Sequence, residues 1–151
     1  MPLRRKNMNA EVKKLVDHEM LFTMRTRFTA ADLVVAPGTT LLPAFPNASY
    51  RLVDLMAIAN GGAAGGLTNI IVSGTVGAVK TTLATLLPAN LTQSALLRLG
   101  ATGAAPAANG VTLQPMDPST SIMIERTGTA LTGATSIDVI ATYALEGRTV
   151  I

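Results

Sequence analysis

The chain has 151 residues, enough for one domain with an arm to spare. Nearly half of them (48%) are apolar, yet only 14% are charged and 3% aromatic, with no Trp and no Cys. That composition excludes disulfide-stapled modules, thiolate nucleophiles and zinc–thiolate sites, and it requires a core of aliphatic side chains.

Charge divides the chain into two parts. Residues 1–30 hold seven basic and three acidic side chains and residues 31–151 five basic and six acidic, so the net +3 resides in the N-terminal segment. Residues 1–30 therefore read as a basic N-terminal arm, and residues 31–151 as the folded domain. The opening MPLRRKNMNAEVKK has no apolar stretch of the kind a secretory leader needs, so none is expected. Asn9 as a cap, Glu11 in the first turn, and Val12, Leu15 and Val16 on one face predict a short helix over about 9–19. A helix of that length persists in water only when a surface supports it.

From Leu21 the period changes. Phe22, Met24, Thr26 and Phe28 alternate with Thr23, Arg25 and Arg27, which predicts a strand. Ala31–Val35 and Thr39–Leu42 read as short strands broken by Pro37-Gly38 and then by Pro43 and Pro46. Tyr50–Ala59 is apolar on both parities, the pattern of a central strand buried on both faces. Asn69–Ser73 and Val76–Leu83 predict two strands either side of Gly74. Leu91–Leu97 fits a strand or a short helix begun near Asn90. Gly100–Gly110 reads as a loop, Val111–Gln114 and Ser121–Glu125 as strands, and Gly128–Gly133 as a turn. Ser136–Leu145 alternates throughout, with Ile137, Val139, Ala141, Tyr143 and Leu145 on one side. Roughly seven to nine short strands separated by Gly, Pro and Asn predict a mainly β domain, an antiparallel β-sandwich or jelly roll. A small α+β fold with a helix over 90–99 is the alternative.

No residue between Asp54 and Lys80 is charged, a run of 25. Asn60-Gly61-Gly62, Gly65-Gly66 and Ser73-Gly74 interrupt it, so it reads as strand and loop and no membrane span is expected.

Little in the sequence points to chemistry. His18 is the single histidine, and its neighbours Asp17 and Glu19 do not face it on a helix. Asp54, Asp117, Glu125 and Asp138 are isolated carboxylates, expected to cap turns or to pair with Arg51 and Arg126. Gly74–Thr81 mimics a phosphate-binding loop, but Val79 stands where the glycine before the lysine is needed, and strand-like sequence follows. The glycines of NGGAAGGL lack the order of a dinucleotide motif. No catalytic residue, metal site or cofactor is expected. The functional signal is basic: Arg4, Arg5, Lys6, Lys13, Lys14, Arg25 and Arg27 are candidates for docking a protein partner. Nucleic acid is the lesser reading, since the segment offers only Phe22 and Phe28 for stacking.

The order of features from Pro37 onward resembles that of tailed-phage virion proteins. The matching pieces are the turn Pro37-Gly38-Thr39, the strand Tyr50-Arg51-Leu52-Val53-Asp54, the Gly/Ala loop Gly61–Gly66, and the final strand Asp138-Val139-Ile140-Ala141-Thr142-Tyr143-Ala144. The likeness spans about residues 30–146. It implies a cofactor-free β-sandwich that decorates or cements the head, binds the major capsid protein or another virion protein, and forms homo-oligomers, commonly trimers. The implied location is the virion, assembled in the host cytoplasm. A tail, fibre or adhesion module and a nucleic-acid-binding accessory protein are the alternatives.

Overall fold

The structure, a computed structural model, describes residues 20–148. Nine strands follow one another: β1 (Met20–Phe28), β2 (Thr39–Leu42), β3 (Ala48–Asn60), β4 (Ala64–Val76), β5 (Val79–Leu86), β6 (Leu96–Arg98), β7 (Ala104–Pro106), β8 (Ile122–Gly133) and β9 (Ser136–Arg148). They form a four-stranded sheet of order β1-β9-β3-β6 and a five-stranded sheet of order β2-β8-β4-β5-β7. Every pairing within the two sheets is antiparallel. Without the three-residue β7 at one edge, the order is that of a jelly roll, two four-stranded sheets whose strands are exchanged through Greek-key connections. The expected mainly β sandwich is the fold.

The alternation in β9 sets the core. Ile137, Val139, Ala141 and Tyr143 point between the sheets and are buried. Directly registered neighbours share a face, so Thr26, Met24 and Phe22 of β1 and Ala57, Leu55 and Leu52 of β3 flank them on the same inner side. Ile70 and Val72 of β4, Ile122 and Ile124 of β8, and Leu83 and Leu86 of β5 are also buried in this core. With so few aromatics, small aliphatic side chains fill the space between the sheets.

Tyr143 is the exception in character. It is fully buried, its hydroxyl has no hydrogen-bond partner among the described residues, and burial pushes the phenol pKa up. Removing an unpaired buried hydroxyl relieves a desolvation cost, so Tyr143→Phe is expected to stabilise the domain by about 1 kcal/mol in denaturant unfolding.

Several boundaries differ from those the sequence predicts. Met20–Phe28 belongs to the sandwich, registered without a break against β9 from Met20–Leu145 to Phe28–Ile137. An arm of 1–30 is therefore too long, because the apolar parity of this segment is part of the core. The predicted helix over 9–19 lies outside the described residues. Ala31–Val35 is a turn rather than a strand: the Asp32 carboxylate accepts hydrogen bonds from the Thr29 amide (2.9 Å) and hydroxyl (2.8 Å), and this holds its pKa below the usual carboxylate range. β4 runs unbroken through Gly74, whose missing side chain leaves room for the Met116 thioether. β8 runs through Gly128–Gly133 with shifted register against β4, and the chain reverses later, at Ala134-Thr135. Val111–Gln114 lies in and beside a 3-10 turn, and Leu91 ends another short 3-10 turn, Pro88–Asn90, after which the segment forms no α-helix or long strand, only the short β6.

Candidate protein-binding face

The strand register arranges the outer side of the four-stranded sheet into rows. Arg27, Asp138, Ile58 and Leu96 form the first row across β1, β9, β3 and β6, and Arg25, Ile140, Met56 and Arg98 the second. Thr23, Thr142 and Asp54 form the third, and Leu21, Ala144 and Arg51 the fourth. The centre of the face is thus four adjacent apolar side chains, Ile58, Met56, Ile140 and Leu96, with Leu96 57% exposed. Arginines border it on both flanks.

Of the seven basic docking candidates, Arg4, Arg5, Lys6, Lys13 and Lys14 lie outside the described residues, as does His18. Arg25 and Arg27 are described, and both are held by one acid. Arg27 Nε donates to Asp138 Oδ1 at 2.8 Å, Arg25 Nε donates to Oδ2 at 3.1 Å, and an amino group of each guanidinium also meets Oδ2. The Asp138 side chain has no exposed surface, whereas those of Arg25 and Arg27 are 61% and 62% exposed. The Arg27 hydrogen bond, aided by Arg25 and Asn60, outweighs burial and holds the Asp138 carboxyl well below the usual range. Two guanidinium groups on one carboxylate leave one positive charge in surplus, presented beside the apolar centre.

Asp138 is the residue that the sequence reading placed among the isolated acids. Its signal was present in the parity: Asp138 alternates out of a strand whose other side is wholly apolar, and Arg25 and Arg27 do the same in β1. The remaining acids also have partners, though not all the expected ones. Asp54 meets Arg98 at 2.9 Å, Glu125 meets Lys80 at 2.6 Å, and Arg51 meets Glu146 at 2.9 Å. Arg126 instead donates to the Leu33 carbonyl at 2.8 Å and to that of Gly128. Asp117 caps a turn, as expected of an acid in this set. Among the described residues no group of three or more His, Cys, Asp or Glu is placed to hold a metal. No described helix is long and apolar enough to cross a membrane.

The segment that mimics a phosphate loop is the β4–β5 hairpin. Val76 pairs with Val79, and Gly77 and Ala78 turn the chain with φ of 59° and 62°. Their amides, the groups that would cradle a phosphate, donate to the Asp117 carboxylate at 2.9 and 2.7 Å. The turn therefore already holds its own anion. Asp117→Ala is expected to cost about 1–2 kcal/mol in denaturant unfolding, since two charge-assisted bonds are lost at a half-exposed site.

The outer side of the five-stranded sheet has a different character. Thr40, Met123, Ser73 and Thr82 form one row, and the Lys80–Glu125 pair lies beside them. Elsewhere, Phe45, Pro46, Ala48, Tyr50 and Leu145 line an open hollow of about 300 Å³ at one end of the sandwich. Leu99, Pro106, Thr112 and Leu113 are among those lining a hollow of about 310 Å³ at its side.

No protein-family model matches the chain, and no curated protein matches it.

Proposed function

We propose that the chain is a non-enzymatic structural protein of a tailed-phage particle, one that decorates or cements the head by binding the major capsid protein. One observation carries this reading. The sequence of β3 is that of a strand buried on both faces, and the described residues bury only the inner one. Leu52, Leu55, Ala57 and Ala59 are sealed in the core, while Met56 and Ile58 on the other side are only half-buried. An apolar sheet face bordered by arginines, opposite a polar one, suits a protein surface that offers an apolar patch flanked by carboxylates.

Size supports several copies acting together. Four strands about 4.8 Å apart and four rows about 6.8 Å apart make a face of roughly 500 Å². A standard interface takes about 800 Å² from each partner. Linking copies in a homo-oligomer such as a trimer, or adding contacts from the basic segment before Met20, supplies the difference by multivalency.

The test joins the mass of the protein in solution with its co-sedimentation with empty capsids. The expected result is an oligomer that sediments with the shells, and an Ile58→Lys variant that folds normally but is retained at least about tenfold less, the effect of losing about 1.4 kcal/mol per copy. A chain that stays in the supernatant overturns the reading. DNA binding that falls steeply with salt would instead favour the nucleic-acid alternative.

A further inference from the structure

Two open sheets have four edges between them, and three of these are short. β6 and β7 have three residues each, β7 ends in a proline, and β2 has four residues with a shift in register. Edges of this kind resist pairing with a further strand. β1 is different. It is nine residues long, holds neither glycine nor proline, and pairs with β9 without a bulge. No described strand pairs with its other side. Alternate amides and carbonyls of β1 therefore point away from the sheet along a regular, extended edge. Charge does not guard that edge, because Asp138 draws Arg25 and Arg27 toward β9. The apolar side chains of β1 are not sealed either: Phe22 and Met24 are half-buried, and Met20 is 53% exposed.

We propose that this edge pairs with β1 of a second copy, antiparallel about a two-fold axis at Met24, and joins two four-stranded sheets into one of eight strands. The sequence of β1 selects both this occupant and this register. Met24 is the midpoint of Met20–Phe28, so pairing about it uses the whole strand. On the inner side Phe22 then stands opposite Thr26, and Met20 opposite Phe28, of the second copy. On the outer side Thr23 stands opposite Arg25 and Leu21 opposite Arg27, so each arginine faces an uncharged residue. Moving the axis to Arg25 sets two guanidinium groups directly opposite, and moving it to Thr26 sets Arg25 against Arg27 twice. Like charges so placed destabilise a sheet. An axis between two residues turns inner side chains against outer ones, and an axis at Thr23 or earlier shortens the seam. A two-fold closes with two copies, so a dimer is expected and not a filament. The dimer sets two arginine-bordered faces side by side, a surface of roughly 1000 Å² against the about 800 Å² that a standard interface takes from each partner. Only that last consequence rests on the capsid reading; the strand pairing does not.

In sedimentation equilibrium without capsids, the full-length chain is expected to exchange between monomer and dimer. Thr23→Arg, at an exposed position, sets like charges opposite Arg25 twice in each dimer. It should raise the dissociation constant about tenfold, whereas Thr23→Glu, which sets opposite charges there, should lower it by a similar factor. The chain has no Cys, so single cysteines report the register. On the axis, the two Met24→Cys residues have Cα atoms about 4.5–5.5 Å apart, within disulfide reach. Two Thr26→Cys residues stand four positions out of line, about 14 Å apart. Oxidation should therefore cross-link Met24→Cys into dimers and leave Thr26→Cys uncoupled. A monomer at every concentration, a trimer, or a dimer indifferent to both charges at position 23 overturns the proposal. Cross-linking of Met24→Cys that does not exceed that of Thr26→Cys overturns it too. No capsid enters these measurements, so their failure is distinct from failure of the capsid reading.

Discussion

Val139→Asp is expected to leave the chain without a cooperative unfolding transition. Val139 has no exposed surface and points between the sheets from β9, which is itself held between β1 and β3. Its registered neighbours are Thr26 on one side and Ala57 on the other, neither of which can neutralise a carboxylate. A buried charge without a partner costs several kcal/mol, and protonating it to escape leaves a polar group among aliphatic ones. A domain of this size has about 5–15 kcal/mol of total stability, and the replacement also deletes close-packed methyl groups at the centre of the sandwich. Val139→Ala separates the two effects: it should fold, weakened by about 2 kcal/mol from lost packing alone. Near-ultraviolet dichroism and urea titration of both variants check this. A soluble Val139→Asp chain with a sharp transition would mean that the inward face of β9 is assigned to the wrong parity.

The contrast with the preceding residue shows what the sequence could and could not reveal. Residues 138 and 139 lie on the same strand, and strict alternation was enough to place Val139 inside and Asp138 outside. The same rule located β1, whose Phe22, Met24 and Phe28 share one parity, whereas β3 was legible as a run apolar on both parities. It failed where a local signal competed with pairing. Gly74 looked like a break, yet β4 needs a residue without a side chain there so that Met116 can approach. Gly128 and Gly133 looked like a turn, yet they are irregular points within β8, with φ of 81° and 77°. Ala31–Val35 looked like a strand by composition, but the Asp32–Thr29 hydrogen bonds close a turn first. The candidate face was legible only in part. Arg25 and Arg27 were picked out by charge, but the acid that fixes them lies more than a hundred residues away, and only the β1–β9 register brings it to them. The apolar patch beside them combines residues from β3, β6 and β9, and no local window contains it.

Asp138→Asn should lower stability at neutral pH by about 2 kcal/mol, and the loss should shrink in acid. Breaking a buried ion pair by removing one member typically costs about 3–5 kcal/mol. Here the cost is smaller, because Arg25 and Arg27 are more than half exposed and recover water when released, and solvent already screens their charge. What remains is the fully buried position of residue 138, where an amide accepts less well than a carboxylate and offers its own N–H groups to two guanidinium donors. The pH dependence follows from the direction of the shift. The folded carboxyl titrates below the unfolded value of about 3.9, so its contribution is complete above that value and is lost as pH falls through it toward the folded pKa. Urea titrations of the native and Asp138→Asn chains at neutral pH, at pH about 4 and at pH about 2 should therefore show a gap that is widest at neutral pH and narrows on the acid side. A gap of constant size would mean that the residue acts through shape alone. With Asn at 138, Arg25 and Arg27 are no longer held in one geometry beside Ile58 and Ile140, and the net charge of the face rises by one. A partner that reads fixed guanidinium positions should then bind less tightly although the attraction at long range has grown, whereas a partner that responds only to charge should bind more tightly.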